Sequence, residues 1–163
     1  MKQLKLKYME PKIGITKKDL NTSIDCLTVV LANEMLLYVK TRKFHWNVSG
    51  NSFMELHKLF EAHYTQLEHT IDEIAERISK LGAKAIGTMQ EFIDHASLKE
   101  NPKTVEQKDM IQELLADHET ILKELRDYIE KMEDTNDYGT ADFLTSILQQ
   151  HETQAWTIRK YIN

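Results

Sequence analysis

Cysteine, proline and glycine are scarce in this sequence, which contains one Cys, two Pro and five Gly among 163 residues. The single Cys26 excludes a disulfide within the chain, so we expect a reducing, cytoplasmic environment in which Cys26 is a small buried hydrophobic residue. Few helix-breaking residues together with 29% charged residues favour a mostly helical protein. The length fits one domain with a hydrophobic core, and we expect no membrane-spanning segment.

Apolar residues recur three and four positions apart in four long segments, which is typical of amphipathic helices packed around a common core. Thr16, Ser52 and Thr104 each stand three residues before an acidic or amide side chain, in the pattern of a helix-starting capping box. The predicted helices run from Thr16 to about Trp46, from Ser52 to Gly82, from Thr104 to about Met132, and from the segment after Gly139 towards the C-terminus.

The connection between the second and third helices, from Gly82 to Pro102, is about 20 residues long, which is unusual in a compact bundle unless it contains structure of its own. Met89, Phe92 and Ile93, followed by Ala96, predict a short amphipathic helix there. The fold class is therefore all-α, a four-helix bundle over residues 16–163 with a long crossover connection, as in ferritin-like proteins. Those proteins usually bind metal inside the bundle through Glu-x-x-His, which this sequence lacks, so we expect no such site.

Two pairs of metal-ligand side chains, His57 with Glu61 and Asp72 with Glu76, lie on one strip of the second helix beside its apolar stripe. Because a helix rises about 1.5 Å per residue, His57 lies about 22 Å from Asp72, and one ion cannot bind both pairs of one chain. Two copies packed antiparallel would bring His57 opposite Glu76 and Glu61 opposite Asp72, so a dimer would contain two identical sites. The alternative is a solvated acidic face. Carboxylates with imidazoles suit Fe(II), Mn(II) and Zn(II), and Zn would compete.

Residues 44–82 contain a dense motif of histidine, aromatic and acidic residues at fixed spacing. The motif residues are His45-Trp46-Asn47, Gly50, Phe53, Leu56-His57, Phe60-Glu61, Asp72 and Ala75-Glu76-Arg77-Ile78. In this motif the chain resembles the Dps proteins, or miniferritins, of the ferritin-like superfamily. The resemblance implies a ferroxidase that oxidises Fe(II), preferably with hydrogen peroxide, stores ferric mineral in a hollow homo-dodecamer and protects DNA from oxidative damage. Many relatives have Asp at the position of Glu61, so Glu61 is either a direct metal ligand or a residue that contacts a ligand.

Carried onto this chain, the resemblance implies a di-iron centre shared between two subunits. His45, His57 and Glu61 would come from one subunit, and Asp72 and Glu76 from its two-fold mate, with Glu76 bridging the metal positions. Trp46 beside the site is either a packing residue or a trap for stray oxidising equivalents. Acidic pores would admit Fe(II), and Asp137 and Asp142 are either pore residues or cap the last helix.

Three further histidines and one tryptophan are interpreted as structural. His118 stands between two acidic residues, but neighbouring residues on a helix point about 100° apart, so these three side chains cannot share one ion. We therefore expect His118 to be partly buried and fully hydrogen-bonded. His95 and His151 are expected on the surface, and Trp156 in the packing of the last helix.

Charge is unevenly distributed, because residues 1–18 contain six lysines and one glutamate while the whole chain has a net charge of −5. Residues 1–15 are interpreted as a basic arm, either a solvated tail or a DNA-binding segment that acts through salt-dependent phosphate contacts. Many arms in one assembly would reinforce one another. The alternative function is therefore an architectural DNA-compacting particle in the bacterial nucleoid, with degenerate or Zn-occupied metal sites.

Overall fold

The computed structural model describes residues 11–162, so most of the predicted basic arm lies outside the described residues. The secondary structure of this part is entirely helical, which confirms the predicted fold class. In chain order the helices are α1 (Lys17–Asn47), α2 (Phe53–Lys80), α3 (Met89–His95), α4 (Gln107–Asp134) and α5 (Tyr138–Arg159).

The four long helices form two antiparallel hairpins, α1 with α2 and α4 with α5, joined by the crossover that contains α3. Contacts at the two ends of the bundle show how the crossover works. The Gln107 side chain at the start of α4 approaches Gly50 in the α1–α2 turn, whereas Arg77 near the end of α2 binds Asp137 at the start of α5. Hence α2 and α4 run parallel, and the chain between them must traverse the length of the bundle, which is the ferritin-like arrangement.

Helix starts only partly follow the capping-box prediction. Thr16 is the N-cap of α1 and accepts a hydrogen bond from the Asp19 backbone amide, as predicted. Ser52 precedes α2 but makes no side-chain cap, because its backbone is not in the extended conformation that aims a capping hydroxyl at the first turn. The prediction that the third long helix begins at Thr104 was wrong, because α4 begins at Gln107. The residues before it are not helical, and Val105 packs against the core.

Asn33 of α1, which is only 1% exposed, holds the crossover against the bundle through hydrogen bonds. Its side-chain oxygen accepts from the backbone amides of Ser97 at 2.9 Å and Leu98 at 3.1 Å. Its amide nitrogen donates to Glu124 of α4 at 2.8 Å. A long connection without its own core is thus held by a buried polar side chain whose hydrogen-bonding groups are satisfied.

Helix α1 contains a stretch long and apolar enough to cross a membrane by length and composition, contrary to our expectation. In this structure 56% of that stretch is buried inside the bundle. Leu27 and Leu37 are fully buried, and Cys26 is 7% exposed, which confirms its assignment as a core residue. Burial raises the pKa of the Cys26 thiol. The apolar run is the central core helix of the bundle.

The expectations for His151 and Trp156 in α5 were both wrong. His151 is 2% exposed, whereas Trp156 is 57% exposed in the single subunit. The reason is helical phase, because Leu144, Ile147 and Ile158 are buried and His151 falls on the same three-and-four spacing. Trp156 lies outside that stripe.

Candidate metal centre

The turn between α1 and α2 brings His45 and His57 into a reciprocally hydrogen-bonded pair. The Nδ1 of His45 lies 2.8 Å from the backbone oxygen of His57, and the Nδ1 of His57 lies 3.0 Å from the backbone oxygen of His45. The rings stack with centroids 3.8 Å apart. Because a carbonyl only accepts, each Nδ1 carries the proton and each Nε2 keeps its lone pair. Among residues 11–162 neither Nε2 has a hydrogen-bond partner, so each imidazole keeps one nitrogen lone pair that could bind a metal ion.

Glycine at position 50 makes this pairing possible. Gly50 adopts φ +108° in the turn after α1, and a Cβ there would lie 3.0 Å from the Gln107 side-chain oxygen. A residue with a side chain would therefore be strained both in its backbone and against α4. Tyr64 and Phe53 pack beside the histidines, with ring centroids 5.2 Å from His45 and 5.1 Å from His57.

The remaining predicted ligands lie along α2 and are exposed. Glu61 follows His57 by one turn, and with His45 these residues form one group at the α1–α2 end. Asp72 and Glu76 lie further along the same uninterrupted helix, where Glu76 is 60% exposed and bonds Lys80 at 3.1 Å. Within residues 11–162 no three His, Cys, Asp or Glu side chains are arranged to bind an ion. The structure therefore brings His45 and His57 together and leaves Asp72 and Glu76 apart from them.

Trp46 is 66% exposed and does not pack into the core of its own subunit. The Arg42 guanidinium lies over its ring at 5.5 Å and over the Tyr64 ring at 4.5 Å. Because Tyr64 also contacts His45, an aromatic and cationic layer borders the histidine pair. The position of Trp46 beside His45 is therefore a surface position.

Asp137 is the N-cap of α5 and is 1% exposed. Burial alone would raise the pKa of its carboxyl group, but hydrogen bonds from the Thr140 hydroxyl and amide and the charge of Arg77 hold that pKa below its usual value. Of its two predicted roles, the structure supports capping. Asp142, one turn later, is exposed.

Sequence reasoning missed a second group of ionisable residues in the middle of the bundle. Glu34, His63, His118 and His151 come from α1, α2, α4 and α5 respectively, and all are less than 9% exposed. His118 is fully buried rather than partly buried, and its Nε2 has no partner. The available signal was helical phase, because each histidine stands at a core position of its helix, for example His63 between Phe60 and Leu67. Burial, and to a smaller extent the nearby His151, lowers the pKa of His63 to about 4.

Comparison with known proteins places this geometry in a family context. Residues 24–163 match the model of the ferritin-like domain. The chain is 43% identical to a low temperature-induced protein of Nostoc sp., over 92% of this chain and 85% of that protein. It is 35% identical to DNA protection during starvation protein 2 of Bacillus anthracis, over 86% of this chain and 96% of that protein.

Among solved structures, the crystal structure of the Dps protein of Vibrio cholerae O1 superposes with a TM-score of 0.89 at 30% identity, covering 95% of this chain and 98% of that one. That protein is described as a member of a broad superfamily of ferritin-like diiron-carboxylate proteins. The range matched by the family model, residues 24–163, includes the whole of α2.

Proposed function

The chain belongs to the Dps family of ferritin-like proteins, and from this premise we propose that it oxidises Fe(II) at sites shared between two subunits and stores the ferric product. The observation that carries the proposal is the His45–His57 pair, whose Nδ1 atoms are fixed on backbone carbonyls so that both Nε2 lone pairs are available. Two imidazoles and the Glu61 carboxylate are half of a coordination sphere for Fe(II). The other half must come from elsewhere.

An antiparallel second copy supplies the missing carboxylates. Since α2 is one straight run of 28 residues, Asp72 and Glu76 lie at its opposite end and reach the histidine pair only from another subunit. Both carboxylates are exposed and border surface grooves, Asp72 one of about 620 Å³ and Glu76 one of about 490 Å³. Exposed apolar side chains at the histidine end of α2, including Phe53 and Met54, are available for the contact.

The reaction balances with two Fe(II) ions and one peroxide. Each Fe(II) gives up one electron, the O–O bond of hydrogen peroxide breaks, and two protons complete two water molecules. His45 and His57 bind without adding charge, whereas Glu61, Asp72 and Glu76 offset the positive charge that increases as Fe(III) forms. As the family resemblance implies, Glu76 would contribute its carboxylate to both iron positions. Holding both ions together avoids one-electron reduction of peroxide, which would release hydroxyl radical.

Trp46 has a protective role in this proposal. It follows His45 directly, is exposed, and lies against the Arg42 guanidinium. If a strongly oxidising species does form, the indole is the nearest readily oxidised side chain to the histidine pair along the chain. Its oxidation would spare DNA or other targets outside the particle.

The proposed function is tested with single-site variants of the full chain. His57→Ala and Asp72→Ala are each expected to lower the rate of Fe(II) oxidation by hydrogen peroxide by at least about tenfold, since a ligand is lost in both cases. His95→Ala is the matched control, because His95 is exposed and its Nδ1 bonds a backbone oxygen of its own helix. Size-exclusion chromatography with light scattering checks for a dodecamer of unchanged size. Wild-type rates in both site variants would overturn the proposal.

DNA binding through the basic arm is the second candidate function. Lys2, Lys5, Lys7 and Lys12 lie in residues 1–15, and an acidic particle without them would repel DNA. Deletion of residues 1–15 is expected to abolish DNA gel shifts at low salt while leaving Fe(II) oxidation unchanged. Unchanged shifts after the deletion would exclude binding by the arm. We propose a cytoplasmic location, at the nucleoid when DNA is bound.

A further inference from the structure

A second group of potential ligands lies at the centre of the bundle, far from the turn that holds the histidine pair. We call Glu34, His63, His118 and His151 the bundle-centre cluster. Each of the four long helices contributes one member, and their exposed fractions are 0%, 6%, 0% and 2% in that order. Four ionisable side chains at this depth are unusual, because an unpaired buried polar group is destabilising.

Three members form a hydrogen-bonded chain across the bundle. The Glu34 Oε1 lies 2.6 Å from His151 Nε2, and the His151 Nδ1 lies 2.8 Å from His118 Nδ1. One proton is shared between the two Nδ1 atoms, so two arrangements exist. When His151 is neutral, its Nδ1 accepts from His118, and the His118 Nε2 is left with a lone pair. Burial, and then the neighbouring His151 and His63, lower the pKa of His118 well below the ordinary value, which favours a neutral ring.

The bundle-centre cluster contains three buried side-chain atoms without a hydrogen-bond partner. They are Glu34 Oε2, His63 Nδ1 and His118 Nε2, one on each of three helices. Two of them, the Glu34 oxygen and the His118 nitrogen in the arrangement just described, are acceptors that no protein donor reaches. Buried acceptors of this kind require a proton donor or a cation. Because His118 bonds His151 through Nδ1, its Nε2 lies on the side of the ring away from that hydrogen bond.

Ring positions are compatible with a cation shared by His63 and His118. Their ring centroids are 5.9 Å apart and their planes are 84° apart. With metal–nitrogen distances of about 2.0–2.1 Å, two imidazoles bound to one tetrahedral ion have ring centres about 5 Å apart, so the two rings would move closer by somewhat less than about 1 Å on binding. His151 and Glu34 then stand behind His118 in the order that orients a ligating histidine, with a carboxylate at the end of the chain.

We propose that the bundle-centre cluster is an additional, intrasubunit binding site for one divalent transition-metal ion of the Zn²⁺ class, with His63 and His118 as ligands. Glu34 and His151 are positioning residues, and Glu34 supplies the compensating negative charge. Since no three donor side chains of residues 11–162 already converge on a point, water molecules complete the coordination. This site is separate from the proposed iron-oxidising centre and does not depend on it.

Zinc binding to the full chain tests the site, in a background in which the intersubunit centre is removed by His57→Ala and Asp72→Ala. Equilibrium dialysis against ZnCl₂ followed by metal analysis is expected to leave one tightly held zinc per subunit. Adding His118→Gln should remove that zinc, whereas adding His95→Gln, a substitution of an exposed histidine, should not.

Crystals of the wild-type protein soaked in ZnCl₂ provide a second measurement that does not depend on the variants folding. Anomalous scattering at the zinc edge should show a peak between the His63 and His118 rings. The proposal is overturned if that peak is absent and the background variant holds no zinc. It is equally overturned if the retained zinc is unaffected by His118→Gln. Either result would mean that the cluster is a structural hydrogen-bond network.

Discussion

Subunit mixing gives the sharpest test of a metal centre divided between two chains. The structure puts the histidine half and the carboxylate half at opposite ends of α2, about 22 Å apart. His57→Ala damages the first half and Asp72→Ala the second. Either variant alone has no complete site in any dimer, because the two sites of a two-fold dimer are equivalent.

Co-expression of the two variants in equal amounts should restore activity. Half of the randomly formed dimers contain one subunit of each kind, and each mixed dimer has one complete site and one doubly damaged site. The expected rate of Fe(II) oxidation by hydrogen peroxide is therefore about one quarter of the wild-type rate per subunit. Stopped-flow absorbance of the ferric product gives that rate, and affinity tags on the two variants verify the mixing.

Mixing His57→Ala with His45→Ala is the matched control. Both changes fall in the histidine half, so every site in every dimer is damaged and no activity should return. Restored activity in this control, or none in the His57→Ala and Asp72→Ala mixture despite verified co-assembly, would refute a site divided in this way. A centre contained within one subunit would give no recovery in either mixture.

The remaining predictions concern stability and protection. In metal-free protein at fixed concentration, lowering the pH from 7 to 5 should reduce the free energy of unfolding by about 2 kcal/mol through His118. Burial keeps the pKa of His118 well below its ordinary value in the native state, whereas the unfolded imidazole takes up a proton near pH 6.5. The contribution of His118 to stability is therefore full above about pH 6.5 and is lost below it. In urea unfolding, the free energy of unfolding of His118→Gln should depend less steeply on pH than that of the wild type. Equal pH dependence in the two proteins would contradict the assignment. Asn33→Ala should lower the free energy of unfolding by about 2–4 kcal/mol, because buried crossover amides lose their acceptor, whereas Asn51→Ala at an exposed turn position should change it little. Trp46→Phe should leave the rate of Fe(II) oxidation unchanged but increase hydroxyl-radical spin adducts during turnover with peroxide, and an unchanged adduct yield would remove the protective role.

Apolar periodicity and breaker residues were sufficient to predict the helical segments and the crossover. The stripes on α2 and α4 follow the three-and-four spacing that burial on one face requires, and such spacing is a local property of the chain. Helix starts were less predictable, because whether Ser52 or Thr104 caps a helix depends on backbone conformation and on where the next core residue must go. Both histidines of the pair could be named from the sequence as candidate ligands, but their reciprocal hydrogen bonds could not be predicted.

The sequence by itself determined that His57 and Asp72 cannot share an ion within one chain, because the rise of a helix makes their separation a matter of counting residues. Only the tertiary structure decided which histidines are buried together. His63, His118 and His151 stand far apart in the chain, and each resembles an isolated polar residue on an apolar stripe. Their contact depends on how three helices are rotated about their axes and shifted along them relative to one another. The packing of the whole core fixes both quantities.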